Sequence, residues 1–262
     1  MKIKLENKKI IKEIKDKGYC ILEDYFSDQE VSKMKNSLLK TLNYIKPDDE
    51  TDLQKKYYKV KKYNPKLKGN WYDLATRDIN LLQLLHSPAL IDLVKEYFNT
   101  EVVFSGRAAI HVHDDENQFI LEPHQETHQI ARDCIFLWTP LFDTNKNTGG
   151  LTIFEDSHKH GYFEHSLEHP RLGKKSWTKD YTHVDPSIAA RFKKVNLEIK
   201  TGAAVLILSS LLHCGYETKK NGSVRIVVTE RYNPLQKMPY LKDENAPMYI
   251  PFVGVDYNKI VD

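Results

Sequence analysis

The stretch Pro123–His124–Gln125–Glu126–Thr127–His128 carries two imidazoles and a carboxylate within five residues. On an extended segment the side chains of His124 and Glu126 point to the same face, because they are two residues apart. A further histidine, His213, follows the apolar run 203–212 far downstream. Two histidines and a carboxylate are the ligand set that holds non-haem Fe(II) and leaves positions open for an oxo-acid and dioxygen. We therefore predict an iron site at His124, Glu126 and His213.

Two other histidines compete with this assignment. His128 lies four residues after His124, as in a helical zinc site, but the zinc-protease pattern requires a glutamate directly after the first histidine. Gln125 occupies that position, so protease chemistry is disfavoured and His128 becomes a candidate for substrate contact. His111, which belongs to a His- and Asp-containing stretch at 111–115, is a second such candidate, and an exposed loop explains that stretch equally well.

Two arginines lie on one predicted strand. Arg225 opens the run Arg225–Arg231, and a guanidinium inside a β-barrel is costly to bury unless it meets a fixed anion. The distal carboxylate of a dicarboxylate co-substrate would satisfy Arg225 with a bidentate pair. Strand alternation places Arg231 on the same face, which makes Arg231 a second candidate for contacting an anionic group. The alternative for Arg225 is a partner in solvent or a structural aspartate.

The pattern along the chain predicts a mainly β fold with flanking helices. Residues 1–100 read as mainly helical, with a capping box at Ser27–Glu30 and a Ser87–Pro88 helix start. Residues 101–262 form a series of short β-compatible runs. We expect one domain over 1–262, a sandwich or barrel core with a helical N-terminal third. The insertion 156–194 between strands is long enough to be functional, and we expect it to form a lid together with the lysine-rich segment 46–75.

The lysine-rich segment 46–75 interrupts the helical pattern. Lysines alternate there with tyrosines and a tryptophan without an evident helical period, which predicts a solvated loop. The functional interpretation is a mobile lid over a cleft that takes a polar or anionic substrate.

Composition excludes several classes. A net charge of +3 from scattered lysines gives little support to nucleic-acid binding. No apolar run is long enough for a membrane span, and the N-terminus has no signal-peptide core. The three cysteines have no CxxC spacing, which indicates a reducing cytoplasm.

The motifs together resemble the phytanoyl-CoA dioxygenase-like (PhyH) family of Fe(II)/2-oxoglutarate-dependent oxygenases. The similarity covers nearly the whole chain. The resemblance begins with an N-terminal signature at Gly18–Leu22 and Phe26–Val31 and a metal motif at Pro123–Glu126. It continues in a central block made of Trp138–Leu141, Asn147, Gly149–Leu151 and Asp156–Gly161, and it ends at Leu212–His213 and Arg225.

The resemblance implies a double-stranded β-helix (jelly-roll, cupin-like) core and Fe(II) held by His124, Glu126 and His213. It implies a salt bridge from Arg225 to 2-oxoglutarate, with dioxygen as the other co-substrate, and a co-substrate pocket lined by Trp138. Glu126 replaces the family's usual Asp, and Asp156 replaces a turn glycine. Since the carboxylate is retained, hydroxylation or another oxidation is favoured over halogenation.

We therefore predict a cytoplasmic oxygenase that oxidises a small polar molecule of an anionic, sugar-like or carrier-linked kind. The alternatives are a cupin-like metalloenzyme that does not use 2-oxoglutarate, and a non-catalytic metal-containing binding module. Arg225 has no task in either alternative.

Overall fold

The structure, a computed structural model, describes residues 6–65, 71, 74–104, 109–114, 122–126, 133–166, 183–217, 219 and 223–237. His128, for which we predicted a substrate contact, lies outside these residues. So do Asp115, residues 66–70 and 72–73 of the lysine-rich segment, and residues 167–182 of the insertion. Within the described part of the chain, no helix combines the length and apolar character needed to cross a membrane.

Helices dominate the N-terminal third, as predicted. They are α1 (Asn7–Lys17), α2 (Asp28–Ile45), α3 (Leu53–Tyr63), α4 (Ile79–Leu85) and α5 (Pro88–Phe98). A short helix, α6 (Pro186–Ala189), lies between strands later in the chain. Gly18 ends α1 with a φ of +83°, which glycine adopts without steric cost. Ser27 and Glu30 form the capping box at the start of α2.

The strands are β1 (Tyr19–Leu22), β2 (Val102–Phe104), β3 (Ala109–Asp114), β4 (Ile135–Pro140), β5 (Gly150–Phe154), β6 (His165–Ser166), β7 (His183–Val184), β8 (Lys194–Leu197), β9 (Ala204–Leu208), β10 (His213–Tyr216) and β11 (Val224–Pro234). A major sheet has the order β1-β9-β4-β11-β2, with β3 also paired to β11. A minor sheet has the order β10-β5-β8, and β6 pairs with β7.

The major sheet has two different faces. Its interior face packs against the minor sheet through an apolar cluster that includes Phe136, Trp138 and Val227 from the major sheet and Leu151 and Ile153 from the minor sheet. Its outer face, with residues such as Ile226 and Val228, packs against the helices. Two facing sheets with helices outside confirm the predicted jelly-roll core with flanking helices.

The lysine-rich segment is not the predicted loop. Leu53, Tyr57 and Val60 share one helix face and are buried, so α3 is amphipathic despite its lysines. Tyr57 donates to the buried Asp114 carboxylate at 2.7 Å, and Lys61 donates to the same group at 2.9 Å. These contacts place α3 against the outer face of the major sheet. Residues 53–63 therefore pack on the outer face and do not form the predicted flap over the interior face, because a buried apolar stripe runs between their lysines.

Asp156 takes over a backbone position that suits glycine. Its φ is +63°, in the left-handed region where aspartate is among the better tolerated residues. Its carboxylate pairs with Lys159 at 2.6 Å. The Gly-to-Asp departure is therefore compatible with the turn.

Candidate metal centre

Three side chains converge on the interior face of the jelly roll. One ligand atom from each of His124, Glu126 and His213 lies within 4.8 Å of the others. Glu126 Oε1 lies 3.9 Å from His124 Nε2 and 3.8 Å from His213 Nε2. These separations exceed a hydrogen bond and suit donors that share a divalent cation.

Backbone pairing joins the two parts of the cluster. His124 and His213 exchange N–H to carbonyl hydrogen bonds of 3.0 Å in both directions, and the Glu126 N–H donates to the Ser209 carbonyl at 3.0 Å. The predicted apolar run 203–212 divides into β9 and a turn, after which His213 opens β10. The His-x-Glu segment thus lies alongside the start of β10, and this pairing brings the distant histidine to it.

Both histidines are held in the tautomer that a metal requires. His124 Nδ1 lies 2.7 Å from the Glu122 carbonyl, and His213 Nδ1 lies 2.9 Å from the Leu211 carbonyl. Because a carbonyl oxygen only accepts, each Nδ1 carries the proton and donates it. Each Nε2 then keeps its lone pair for the centre of the cluster.

The protonation states of His124 and Glu126 also favour the binding of a cation. Burial and the neighbouring His213 lower the pKa of His124 to about 3, so this imidazole is neutral near pH 7. Burial by itself raises the pKa of Glu126, but Arg231 and His213 outweigh it and hold the pKa well below its ordinary value. A neutral imidazole and an ionised carboxylate are the forms that bind metal.

Gln125, between the two ligands in sequence, fixes this loop. Its side-chain amide donates to the carbonyls of Gly161 and Ser210 and accepts from the Phe163 N–H. Its backbone N–H donates to His165 Nε2 at 3.0 Å. The sequence did not indicate these roles, since the partners come from the insertion and from the turn before β10.

Arg225 is buried without a carboxylate partner among the described residues. It is 5% exposed, and Nη1 donates to the carbonyls of Gly150 at 2.8 Å and Tyr216 at 3.1 Å. Its Nε has no hydrogen-bond partner in the described structure. Burial lowers the pKa of Arg225 to about 10. The Nε–H group is therefore a buried donor that an anionic ligand could satisfy.

Arg231 pairs with an internal carboxylate. Its Nε donates to Glu126 Oε2 at 3.0 Å, with both side chains largely buried. Strand alternation correctly predicted its face, but its partner is a carboxylate 105 residues earlier. Only Nε of the guanidinium is accounted for by this pair, so the contact of Arg231 with a substrate group stays a prediction.

His111 and Trp138 both lie on the interior face. His111 pairs in register with Val227, and its Nε2 lies 3.4 Å from Thr229 Oγ1. Burial, followed by the positive charge of Arg231, lowers the pKa of His111 to about 4. Trp138 is buried in the interior apolar cluster. The 111–114 part of the predicted loop is strand β3.

The residues present fit an iron centre that uses a dicarboxylate. Two imidazoles and one carboxylate are the donor set of non-haem iron sites. Arg225 supplies a buried cation on the interior face, without a carboxylate partner among the described residues. Placement on facing strands of a packed core keeps these groups fixed relative to one another.

Solved structures share this fold at low sequence identity. The epimerase SnoN in complex with Fe3+, alpha ketoglutarate and nogalamycin RO aligns with a TM-score of 0.60 and 11% identity over 95% of this chain and 94% of that chain. EctD from S. alaskensis with 2-oxoglutarate and 5-hydroxyectoine aligns with a TM-score of 0.58 and 15% identity over 87% and 76%. AviO1 from Streptomyces viridochromogenes Tue57 aligns with a TM-score of 0.57 and 15% identity over 94% and 99%.

The family assignment comes from sequence. No curated protein sequence matches the chain significantly, but the phytanoyl-CoA dioxygenase (PhyH) family matches over residues 14–226. This range includes the predicted ligands and Arg225. The chain therefore belongs to the phytanoyl-CoA dioxygenase (PhyH) family and is an Fe(II)/2-oxoglutarate-dependent oxygenase.

Proposed function

We propose that this oxygenase hydroxylates, or otherwise oxidises, a small polar molecule at a centre formed by His124, Glu126 and His213. Arg225 pairs with the distal carboxylate of 2-oxoglutarate, and Trp138 lines the co-substrate pocket. The observation that carries this proposal is the meeting of the three ligand atoms within 4.8 Å on the face that also buries Arg225. When bound, iron with 2-oxoglutarate and dioxygen supplies the oxidising power for attack on a C–H bond.

The protein's own residues hold the reactants and exclude water. His124 and His213 offer Nε2 because backbone carbonyls accept the Nδ1 protons. Glu126 stays ionised beside Arg231. Arg225 offers its Nε and remaining N–H groups to a carboxylate in a buried setting, where charge-assisted hydrogen bonds are strong. The apolar interior cluster around Trp138 keeps the surroundings dry.

The substrate class is the less specific part of the proposal. SnoN and EctD were solved with nogalamycin RO and 5-hydroxyectoine, both small molecules, which supports a small-molecule substrate here. The interior face carries the cations Arg225 and Arg231 and the neutral His111, which supports a polar or anionic substrate group. His111 remains our candidate contact on the described interior face.

We also propose that the chain acts as one cytoplasmic domain. Support comes from β1, which belongs to the N-terminal third and yet pairs with β9 of the major sheet. The three cysteines are free and buried. The insertion 156–194 remains our candidate lid, and its first part reaches Gln125 beside the proposed ligands.

Succinate formation tests the proposal. Protein loaded with Fe(II) in air should convert 2-oxoglutarate to succinate above background, and a pool of small polar metabolites should contain compounds that stimulate this turnover. The matched variants His213→Ala and Arg225→Met should show neither. Equal turnover in wild type and both variants, or no turnover in wild type with any compound, would remove the proposal.

The cupin-like alternative gives a different pattern. A metalloenzyme that does not use 2-oxoglutarate would bind metal normally, and its metal site would be unaffected by added 2-oxoglutarate. Arg225→Met would then leave every activity of the metal-loaded protein unchanged.

A further inference from the structure

We propose that Arg231 is a positioning residue that commits the Glu126 carboxylate to the metal through one oxygen, an inference that rests on the proposed function. The two oxygens of Glu126 face different partners. Oε2 accepts from Arg231 Nε at 3.0 Å, whereas Oε1 lies 3.8 and 3.9 Å from the two histidine Nε2 atoms. The side chain therefore presents one oxygen to the ligand cluster and the other to the guanidinium.

The division matters because Glu126 has a longer arm than the aspartate usual at this position. The additional methylene adds a torsion, and a carboxylate can bind a cation through one oxygen or through both. Chelation through both oxygens would take a coordination position that the co-substrates require. A guanidinium that already holds Oε2 opposes that rotation, since its planar fork fixes direction as well as charge.

Arg231 is itself held firmly. It lies within β11, where it pairs in register with Phe136 of β4, and its own N–H donates to Glu230 Oε1 at 2.7 Å. The Glu230 side chain reaches His86 Nε2 at 3.1 Å. A buried charge pair on a central strand of this kind resists displacement more than an exposed pair does.

The competing interpretation is a buried ion pair that stabilises the fold without shaping the site. The two interpretations differ in what the metal would report. If Arg231 only stabilises the fold, its loss lowers stability and leaves the coordination of a bound metal unchanged. If Arg231 positions Glu126, its loss changes the coordination and weakens co-substrate binding more than metal binding.

Binding of Co(II) in place of iron distinguishes the two interpretations without any measurement of activity. We would load wild type, Arg231→Met and Arg231→Lys with Co(II), record the visible absorption spectrum, and measure metal and 2-oxoglutarate affinities by calorimetry. The expected result is a changed Co(II) spectrum in Arg231→Met. Its metal affinity should fall by about 10- to 100-fold, the usual effect of losing a residue that orients a metal ligand. Its 2-oxoglutarate affinity should fall by a larger factor, because the changed coordination also removes a position that the co-substrate requires.

Arg231→Lys keeps the positive charge but loses the planar guanidinium. This variant replaces Arg231→Met in the experiment if the methionine variant does not fold. It should show a smaller change in the same direction, so a wild-type spectrum and wild-type 2-oxoglutarate affinity in every folded variant would overturn the inference. Arg225→Met is the matched control, because it should lose 2-oxoglutarate affinity with an unchanged Co(II) spectrum. If the wild-type protein binds no Co(II) or no 2-oxoglutarate, both the proposed function and this inference are overturned.

A double-mutant cycle adds a second check. Glu126→Asp withdraws the carboxylate by about 1.5 Å, one carbon–carbon bond, and so separates it from Arg231. In that background, Arg231→Met should change 2-oxoglutarate affinity far less than it does beside Glu126. Equal effects in both backgrounds would contradict a role exerted through the glutamate.

Discussion

Arg225 and Arg231 lie six residues apart on one face of β11, and their surroundings differ completely. Arg231 pairs with the Glu126 carboxylate at 3.0 Å. Arg225 reaches the carbonyls of Gly150 and Tyr216, and its Nε is orphaned. The pKa of Arg231 is raised because Glu126 outweighs the effect of burial, whereas burial lowers the pKa of Arg225.

The contrast separates two uses of a buried cation. A guanidinium that meets an internal carboxylate belongs to the folded framework of the site. A guanidinium buried without a described counter-charge carries a cost in the free protein, and a bound anion can repay it. We therefore propose that the metal lies near the Arg231 end of β11 and that Arg225, nearer the other end, binds the co-substrate.

The largest expected effect comes from the ligands at the Arg231 end. His213→Ala should abolish detectable Fe(II) binding, because it removes one donor of the set and leaves a vacancy in a buried cluster. Calorimetry under anaerobic conditions measures this. His158→Ala is a matched control, since His158 reaches the Lys15 carbonyl at 3.3 Å instead of the cluster. Equal losses of iron in both variants would mean that the cluster is not the metal site.

The second effect concerns stability of the metal-free protein. Arg231→Met leaves Glu126 buried and unpaired, so the free energy of unfolding should fall by about 3–5 kcal/mol. Arg225→Met removes a buried charge that has no described counter-ion, so its effect should be small or stabilising. Urea unfolding of the two variants compares them directly. Equal destabilisation would break the distinction between the two arginines.

The third effect is linkage to the co-substrate. With a redox-inert divalent metal bound, 2-oxoglutarate at 100 times its dissociation constant should stabilise wild type by about 2.7 kcal/mol. Arg225→Met should lose this response and keep the stabilisation given by the metal alone. Thermal unfolding with and without 2-oxoglutarate provides the measurement. A full response in the variant would mean that another group binds the distal carboxylate.

Sequence patterns predicted the parts of this comparison that depend on periodicity. The alternation of β11 correctly placed Arg225 and Arg231 on one face. The helix and strand series predicted a sandwich or barrel with helices outside, and the family resemblance implied that this core is a jelly roll. The pairing of Arg231 with Glu126 could not be predicted, because it depends on how the segment before residue 127 lies against the end of β11. Contacts of this kind are set by tertiary packing.

The lysine-rich helix shows the opposite limit. Leu53, Tyr57 and Val60 have helical spacing, but seven lysines among residues 55–68 suggested a solvated loop. The predicted loop is wrong, because the spacing of these three apolar residues determines the local structure. The roles of Gln125 and His165 had no sequence signal, since hydrogen bonds to backbone carbonyls leave no pattern of residue types.

The smallest effect concerns His111, whose pKa is lowered first by burial and then by the positive charge of Arg231. The pKa of His111 falls from 6.5 unfolded to about 4 folded. Between those values the unfolded chain binds the additional proton, so stability rises with pH in this window and is lost as pH falls through it. His111→Gln should make the acid side of the stability curve shallower by about one bound proton. Urea unfolding from pH 4 to 7 checks this, and an unchanged slope would contradict the buried neutral imidazole.

The most direct test of the central claim is an anaerobic titration of the Fe(II)-loaded protein with 2-oxoglutarate, followed by visible absorption. We expect a weak charge-transfer band that saturates in the wild-type protein. The band should be absent at the same 2-oxoglutarate concentrations in Arg225→Met, although that variant still binds iron. No band in wild type, or an identical titration in the variant, would contradict the assignment of His124, Glu126, His213 and Arg225 to one oxygenase centre.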